Sequence, residues 1–157
     1  MVSWSDLAGQ APKIAEEGRK LLYQYGVPLA YLATRRKDGG LRIHPVCPIQ
    51  DEGELWLLVG NHSPKRWDLL RDGQFALHAF PVAGGDDEFM LAGTATHIPD
   101  HETETRVRAA LVATGATSGD DTCFRLSIER ALLSLYQPKP GGGGIWPPDY
   151  YRWPARK

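Results

Sequence analysis

The residues with the clearest chemical potential lie at Ser63-Pro64-Lys65-Arg66. Serine favours the N-cap position of a helix, and a proline directly after it suits the first helical residue, where a missing N–H costs nothing. A helix is therefore expected to begin at Pro64. Lys65 and Arg66 then fall in its first turn, at the positive end of the macrodipole, an arrangement disfavoured by roughly 0.3–1 kcal/mol per charge. A bound anion would reverse that sign. A phosphate there could accept hydrogen bonds from free backbone N–H groups, the Ser63 hydroxyl and the Lys65 ammonium. Residues 61–70 alone also allow a plainer reading, a solvated turn whose basic residues pair with Asp68 or Asp72.

A second cation, Arg42, stands in a β-type run on the face opposite Leu41, Ile43 and Cys47, and His44 shares its face. A charge among strand residues either has a partner or points into water from a one-sided strand, and periodicity alone allows both. No metal site is expected. His44, His62, His78, His97 and His101 include no HExxH and no close ligand pair on one face. Cys47 and Cys123 share no CxxC or Cys/His ligand spacing, so both are expected as free, buried thiols. The glycine run at 141–144 lacks the Lys-Ser/Thr that a phosphate loop requires and reads as a linker.

The elements that must position these residues follow from periodicity. A first helix is expected with Ser5 or Gln10 before it, Pro12 in its opening turn, Ile14, Leu21, Leu22 and Tyr25 at helical spacing, and Gly26 at its end. Six β-type runs come next, at 29–34, 41–49, 55–59, 75–80, 88–98 and 123–136. Asp38-Gly39-Gly40 and Asp51-Glu52-Gly53 supply the positive φ of tight hairpins, which implies an antiparallel meander. Pro45 and Pro48 cannot donate to a ladder, so the second run belongs at an edge, a bulge or a barrel opening. Helices are expected at 64–71, closed by Gly73, and from 101 to about 112 with Asp100 as N-cap. Residues 138–157 read as a flexible arm carrying Ile145, Trp146, Tyr150, Tyr151 and Trp153 as apolar anchors.

Composition bounds the class. A chain of 157 residues that is 42% hydrophobic fits one domain with a real core. The formal net charge is −1, with Lys and Arg scattered along the chain, which argues against nonspecific nucleic-acid binding. No apolar run approaches the ~18 residues of a membrane span, and no signal-peptide pattern opens the sequence, so a cytoplasmic protein is expected.

Order and spacing together carry a resemblance. Pro28-Leu-Ala-Tyr-Leu-Ala-Thr, Asp38-Gly-Gly-Leu-Arg-Ile-His-Pro-Val, Glu54-Leu-Trp-Leu-Leu-Val-Gly, Ser63-Pro-Lys-Arg-Trp-Asp-Leu-Leu-Arg-Asp and Phe75-Ala-Leu-His resemble the pyridoxamine 5'-phosphate oxidase-like flavin-binding family across about 27–136. The resemblance implies a mainly β (α+β) fold, a six-stranded antiparallel split β-barrel with a few peripheral helices. It spans 1–137, with the arm at 138–157. It also implies a homodimer holding FMN, or alternatively a deazaflavin, in clefts between subunits. Arg42 and Lys65 match phosphate-holding positions and Ser63 a hydroxyl contact. Val59 and Gly60 match backbone positions flanking the flavin ring, and Ile43, His44, Pro45 and Val46 the strand lying along it. Arg66 is a possible substitute contact, because Pro64 takes one of two places that are basic in the vitamin-synthesising members. The Arg-Leu-x-Pro tail of those members has only a distant echo in Arg152-Trp153-Pro154, which speaks against pyridoxamine phosphate oxidation and for the broader bacterial branch.

The function implied is hydride transfer between the flavin and a small organic substrate, which the cofactor performs and the protein orients, with no catalytic acid or base required. The alternative is a binding or storage module for flavin or haem without turnover, and a third possibility is a cofactor-free dimeric scaffold. Trp146, Tyr150, Tyr151 and Trp153 could cap the cleft or dock on a neighbouring subunit.

Overall fold

Ser3 opens the first helix of the chain, in a computed structural model that describes residues 1–154. Two helices occupy the N-terminus where the sequence suggested one, α1 (Trp4–Gln10) and α2 (Pro12–Leu22). The N-cap is Ser3, not Ser5 or Gln10. Its hydroxyl accepts from the Asp6 N–H (3.0 Å) while the Asp6 carboxylate accepts from the Ser3 N–H (3.0 Å), a reciprocal capping box. Pro12 sits in the opening turn of α2, as expected, and its ring disfavours helical backbone at Ala11, which separates the two helices.

Eight strands follow rather than six: β1 (Ala30–Arg35), β2 (Leu41–Val46), β3 (Ile49–Asp51), β4 (Glu54–Gly60), β5 (Gln74–Ala79), β6 (Glu88–His97), β7 (Asp121–Leu135) and β8 (Asp149–Trp153). The run expected at 41–49 breaks at Cys47-Pro48, where proline has no N–H for a ladder. The sheet order is β2-β1-β5-β6-β7-β4-β3, so β2 and β3, joined by two residues, lie at opposite ends of that order and their linkage curls the sheet back on itself. Pro45 is tolerated within β2 because β2 pairs only with β1. The hairpins form at the expected places, with Gly39 at φ 85° and Glu52-Gly53 at φ 49° and 77°.

The eighth strand is the second correction. Asp149–Trp153 pairs antiparallel with the last residues of β7, in what the sequence suggested was a flexible arm. Strand β7 is 15 residues long, so its first half binds β4 and its second half β8. Two arm aromatics meet the chain's own N-terminal helices: Lys13 donates to the Tyr151 hydroxyl (2.7 Å) and the Trp153 indole N–H to Gln10 (3.2 Å). Trp146 stays exposed. Residues 155–157 of that arm lie outside the described residues.

Helix α3 (Pro64–Arg71) has the expected bounds, and α4 (His101–Ala113) begins after Asp100, whose carboxylate accepts from the Thr103 N–H (2.8 Å). One sheet face buries Leu32, Leu77, Leu91, Phe124 and Leu57 under α1 and α2. On the opposite face α4 covers β3, β4 and the start of β7, through Ile49, Trp56, Val107, Leu111 and Cys123. Cys47 and Cys123 are free thiols, and burial pushes Cys123 up to about 11. Over β2, β1, β5, β6 and the end of β7 the opposite face carries no helix among the described residues.

Candidate functional site

Strand β2 runs against the usual amphipathic pattern: its charged face turns inward and its apolar face outward. Arg42 and His44 pair with Thr34 and Leu32 of β1 on the barrel side, while Leu41 and Ile43, 76% and 66% exposed, point out. The inward residues are held there by chemistry. Arg42 donates from Nε to Asp68 Oδ2 (2.8 Å), and the Thr34 hydroxyl donates to the same oxygen (2.9 Å). Arg71, one turn along α3, reaches the other oxygen at 3.4 Å. Asp68 is only 5% exposed. Its burial acts to raise its pKa, and the Arg42 and Thr34 hydrogen bonds with the Arg42 charge outweigh burial, so the carboxyl lies below its ordinary range. Asp72 is taken by Arg35 (2.6 Å). The acidic partners considered for the turn therefore serve β1, β2 and the end of α3, and Lys65 has none of them.

Lys65 is half-buried and makes no ion pair among the described residues; its ammonium donates to the Ser63 hydroxyl (3.0 Å). Ser63 is the N-cap by backbone geometry, yet its side chain makes no capping bond, which leaves it to orient Lys65. Burial lowers the pKa of Lys65, with the more distant Asp121 acting the other way. His44 lies within the field of both cations: burial, then Lys65, then Arg42 lower its pKa, against Asp68. Its Nε2 is buried with no hydrogen-bond partner among the described residues. Arg42 uses only Nε on Asp68, which leaves its terminal amino groups available. The result is a patch of two cations, a neutral imidazole and a serine hydroxyl, held by opposed strand and helix, with an excess of positive charge. An anionic oxygen cluster fits that donor set.

The remaining candidates divide. Arg66 has partners of its own: its Nε donates to the Thr122 hydroxyl and its guanidinium lies 4.5 Å over the Trp67 ring. Val59 is buried in the core, as is Val46. Gly60 has only the Asp121 carboxylate near its missing Cβ, at 3.8 Å, so its backbone is open to a close neighbour. Ile43 and Pro45 face away from Arg42, and their side chains do not join the cationic patch.

Residues not singled out from the sequence complete the surround. Asn61 donates its N–H to the Asp120 carbonyl (3.0 Å), and Thr122 donates to the Asn61 side chain (2.6 Å), which fixes the turn before α3. Arg108 of α4 binds Ser118 (2.6 Å) and Asp121 (3.1 Å), holding the 118–121 loop in place and partly neutralising the carboxylate nearest Lys65. Asp68 carried a readable signal: a carboxylate beside Leu69 on the buried side of a short helix requires a cation. Arg108 carried none, because its partners lie across a loop whose course periodicity does not define.

With this geometry in hand, comparison with solved structures fixes the fold as the split barrel of pyridoxamine 5'-phosphate oxidase-like proteins. No family model matches the sequence, and no curated protein does. A haem-binding protein from Mycobacterium smegmatis is 18% identical at a TM-score of 0.62, covering 88% of this chain and 57% of that one. The haem storage protein HutZ from Vibrio cholerae is 16% identical at 0.57, covering 76% and 89%. A candidate pyridoxamine 5'-phosphate oxidase from Listeria innocua is 15% identical at 0.60, covering 74% and 94%. No helix among the described residues is long and apolar enough to cross a membrane.

Proposed function

We propose that this chain is a flavin-binding oxidoreductase whose Arg42–His44–Ser63–Lys65 patch holds the phosphate of FMN, or of a deazaflavin. The observation that carries the reading is Lys65: a half-buried ammonium with no carboxylate partner among the described residues, braced by Ser63 and, with Arg42, close enough to His44 to lower its pKa. When bound, the flavin supplies hydride transfer with a small organic substrate. Lys65 and Arg42 bind the phosphate, Ser63 orients Lys65, and Asp68 keeps Arg42 extended toward it. His44, held neutral, adds polarity without a third charge. The open backbone at Gly60 admits a ring close to β4. Val59 lies at that strand end, Ile43, Pro45 and Val46 belong to β2, the strand that runs along the ring, and Arg66 braces β7.

The apolar outer face of β1 and β2, with Leu41, Ile43, Pro45 and Tyr31, supports assembly as a homodimer with the cofactor near the contact. The decisive experiment is to record the absorption spectrum of the purified protein and identify any co-purifying molecule by mass, which separates FMN from deazaflavin and from haem. Lys65→Ala is then expected to weaken flavin binding by about tenfold or more; unchanged affinity would sink the assignment. A second reading, a storage module without turnover, is supported by two proteins of the same fold, one that binds haem and one that stores it. Bound cofactor with no steady-state reduction by nicotinamide donors would select it.

A further inference from the structure

A cavity of about 450 Å³ opens on the outer sheet face where β5, β6, β7 and β8 lie side by side, away from the Lys65 patch. Its origin is local. Ala76 of β5 and Ala92 of β6 are cross-strand partners, so two small side chains meet where their neighbours Met90 and Leu132 are large. The pair leaves a flat apolar floor. At its far side stand two arginines: Arg130 is the partner of Ala92, and Arg152 the partner of Leu132. They are therefore diagonal neighbours on adjoining strands, roughly 7–8 Å apart in a regular ladder.

Neither arginine makes an ion pair among the described residues. The carboxylate nearest in sequence, Glu129, accepts instead from the Thr94 hydroxyl (2.9 Å). Arg152 rests over the Tyr150 ring at 4.6 Å, which steadies its stem and leaves its donors free. Two like charges side by side without a counter-ion repel each other, and a carboxylate between them would turn that repulsion into attraction. A guanidinium fork suits a planar carboxylate better than a point charge does. The floor, by contrast, offers only alkyl surface, and the volume lies within the range of small-molecule pockets.

We propose that this cavity binds a flat aromatic carboxylate, its ring on the Ala76–Ala92 floor and its carboxylate between Arg130 and Arg152. The cavity shares no residue with the Arg42–Lys65 patch, but its floor continues through Ala33 of β1 the face that carries Ile43, so it rests on a homodimer contact that leaves this end of the face open.

The test titrates the full chain with 2-naphthoate and, separately, with the uncharged 2-naphthalenemethanol, by calorimetry. The acid is expected to bind about tenfold more tightly than the alcohol. In Arg130→Gln/Arg152→Gln that preference disappears while alcohol binding and Tm hold, since both side chains are exposed. Lys65→Ala leaves naphthoate binding unchanged. Equal affinity for acid and alcohol, an acid preference that survives the double substitution, or no saturable binding of either compound would overturn the proposal. So would a dimer that dissociates in Arg130→Gln/Arg152→Gln with no naphthoate bound to either form, which would give the cavity to a second copy of the chain.

Discussion

Arg42 of β2 and Asp68 of α3 are joined by a 2.8 Å hydrogen-bonded ion pair that crosses from the sheet to the helix, with Asp68 buried beneath it. Removing Arg42 leaves the buried carboxylate with only the Thr34 hydroxyl and the longer Arg71 contact at 3.4 Å. Arg42→Met is expected to cost about 3 kcal/mol at neutral pH. Arg42→Met/Asp68→Leu should cost less than Arg42→Met alone, because no orphaned carboxylate is left. Chemical denaturation of the three proteins decides it, and a double variant less stable than Arg42→Met would refute the account. The pH dependence has a fixed sign. Asp68 is held below its ordinary value of 3.8, so the pair's contribution is complete above that value and drains away as pH falls through the lower folded value. The gap between native and Arg42→Met stability should therefore close on acidification below about 4.

Lys65 sets stability against binding. Its pKa is lowered by burial, so the folded chain holds this charge less readily than the unfolded chain, and the penalty is present below the ordinary lysine value and relieved as pH rises. Lys65→Met should raise the Tm of the ligand-free protein near neutral pH and, if the patch holds the FMN phosphate, reduce the rise in Tm on adding FMN below that of the native chain. Differential scanning fluorimetry with and without FMN reads both effects. A variant that melts lower without ligand would show that Lys65 is compensated by contacts other than an anion.

The sequence disclosed what local chemistry dictates. The Ser63-Pro64 start of α3, the Asp100 cap of α4 and the two glycine turns stand where their residue types require, and strand order plus spacing was enough to suggest the split barrel. What escaped depends on contacts distant in sequence. Pro48 was legible as a ladder breaker, but only the sheet order reveals that the break joins opposite edges of the barrel. Strand β8 hides in a stretch of prolines, glycines and aromatics because its pairing surface is the second half of β7, 14 to 22 residues upstream. In the site, Lys65 and Ser63 were readable from cap chemistry. Arg42 was visible as a charge without a decision on its direction, since Asp68, which turns it inward, sits 26 residues away.

The bulge at Glu129 of β7, opposite Ala92 and Gly93 of β6, offers a sharp test of the sheet. A Cβ placed on Gly93 would meet the Ser127 carbonyl oxygen at 1.9 Å, and that oxygen belongs to the backbone of the adjoining strand, where the register shifts. Neither strand can yield without breaking ladder bonds. Gly93→Ala should cost about 3 kcal/mol or prevent folding altogether. Gly119, with nothing within 4 Å of its missing Cβ, is the matched control, and Gly119→Ala should be nearly neutral. Comparable Tm values for the two variants would contradict the strand spacing described above.

The outward apolar face of β2 carries the last prediction. Leu41 and Ile43 are among the most exposed large hydrophobic residues of the chain, on an edge strand whose inward face is polar, and Tyr31 beside them is 40% exposed. Such a strip is stable in water only when something covers it, and a two-fold contact between copies covers the same patch on both. The protein should sediment as a dimer at micromolar concentration. Ile43→Asp should shift it to monomer with little change in secondary structure, because the side chain makes no core contact. If the flavin lies at the contact, the same substitution lowers cofactor occupancy although Arg42, Ser63 and Lys65 are untouched. Analytical ultracentrifugation at the flavin absorption wavelength follows both quantities together. A native monomer, or a dimer unaffected by Ile43→Asp, would remove this face from the assembly.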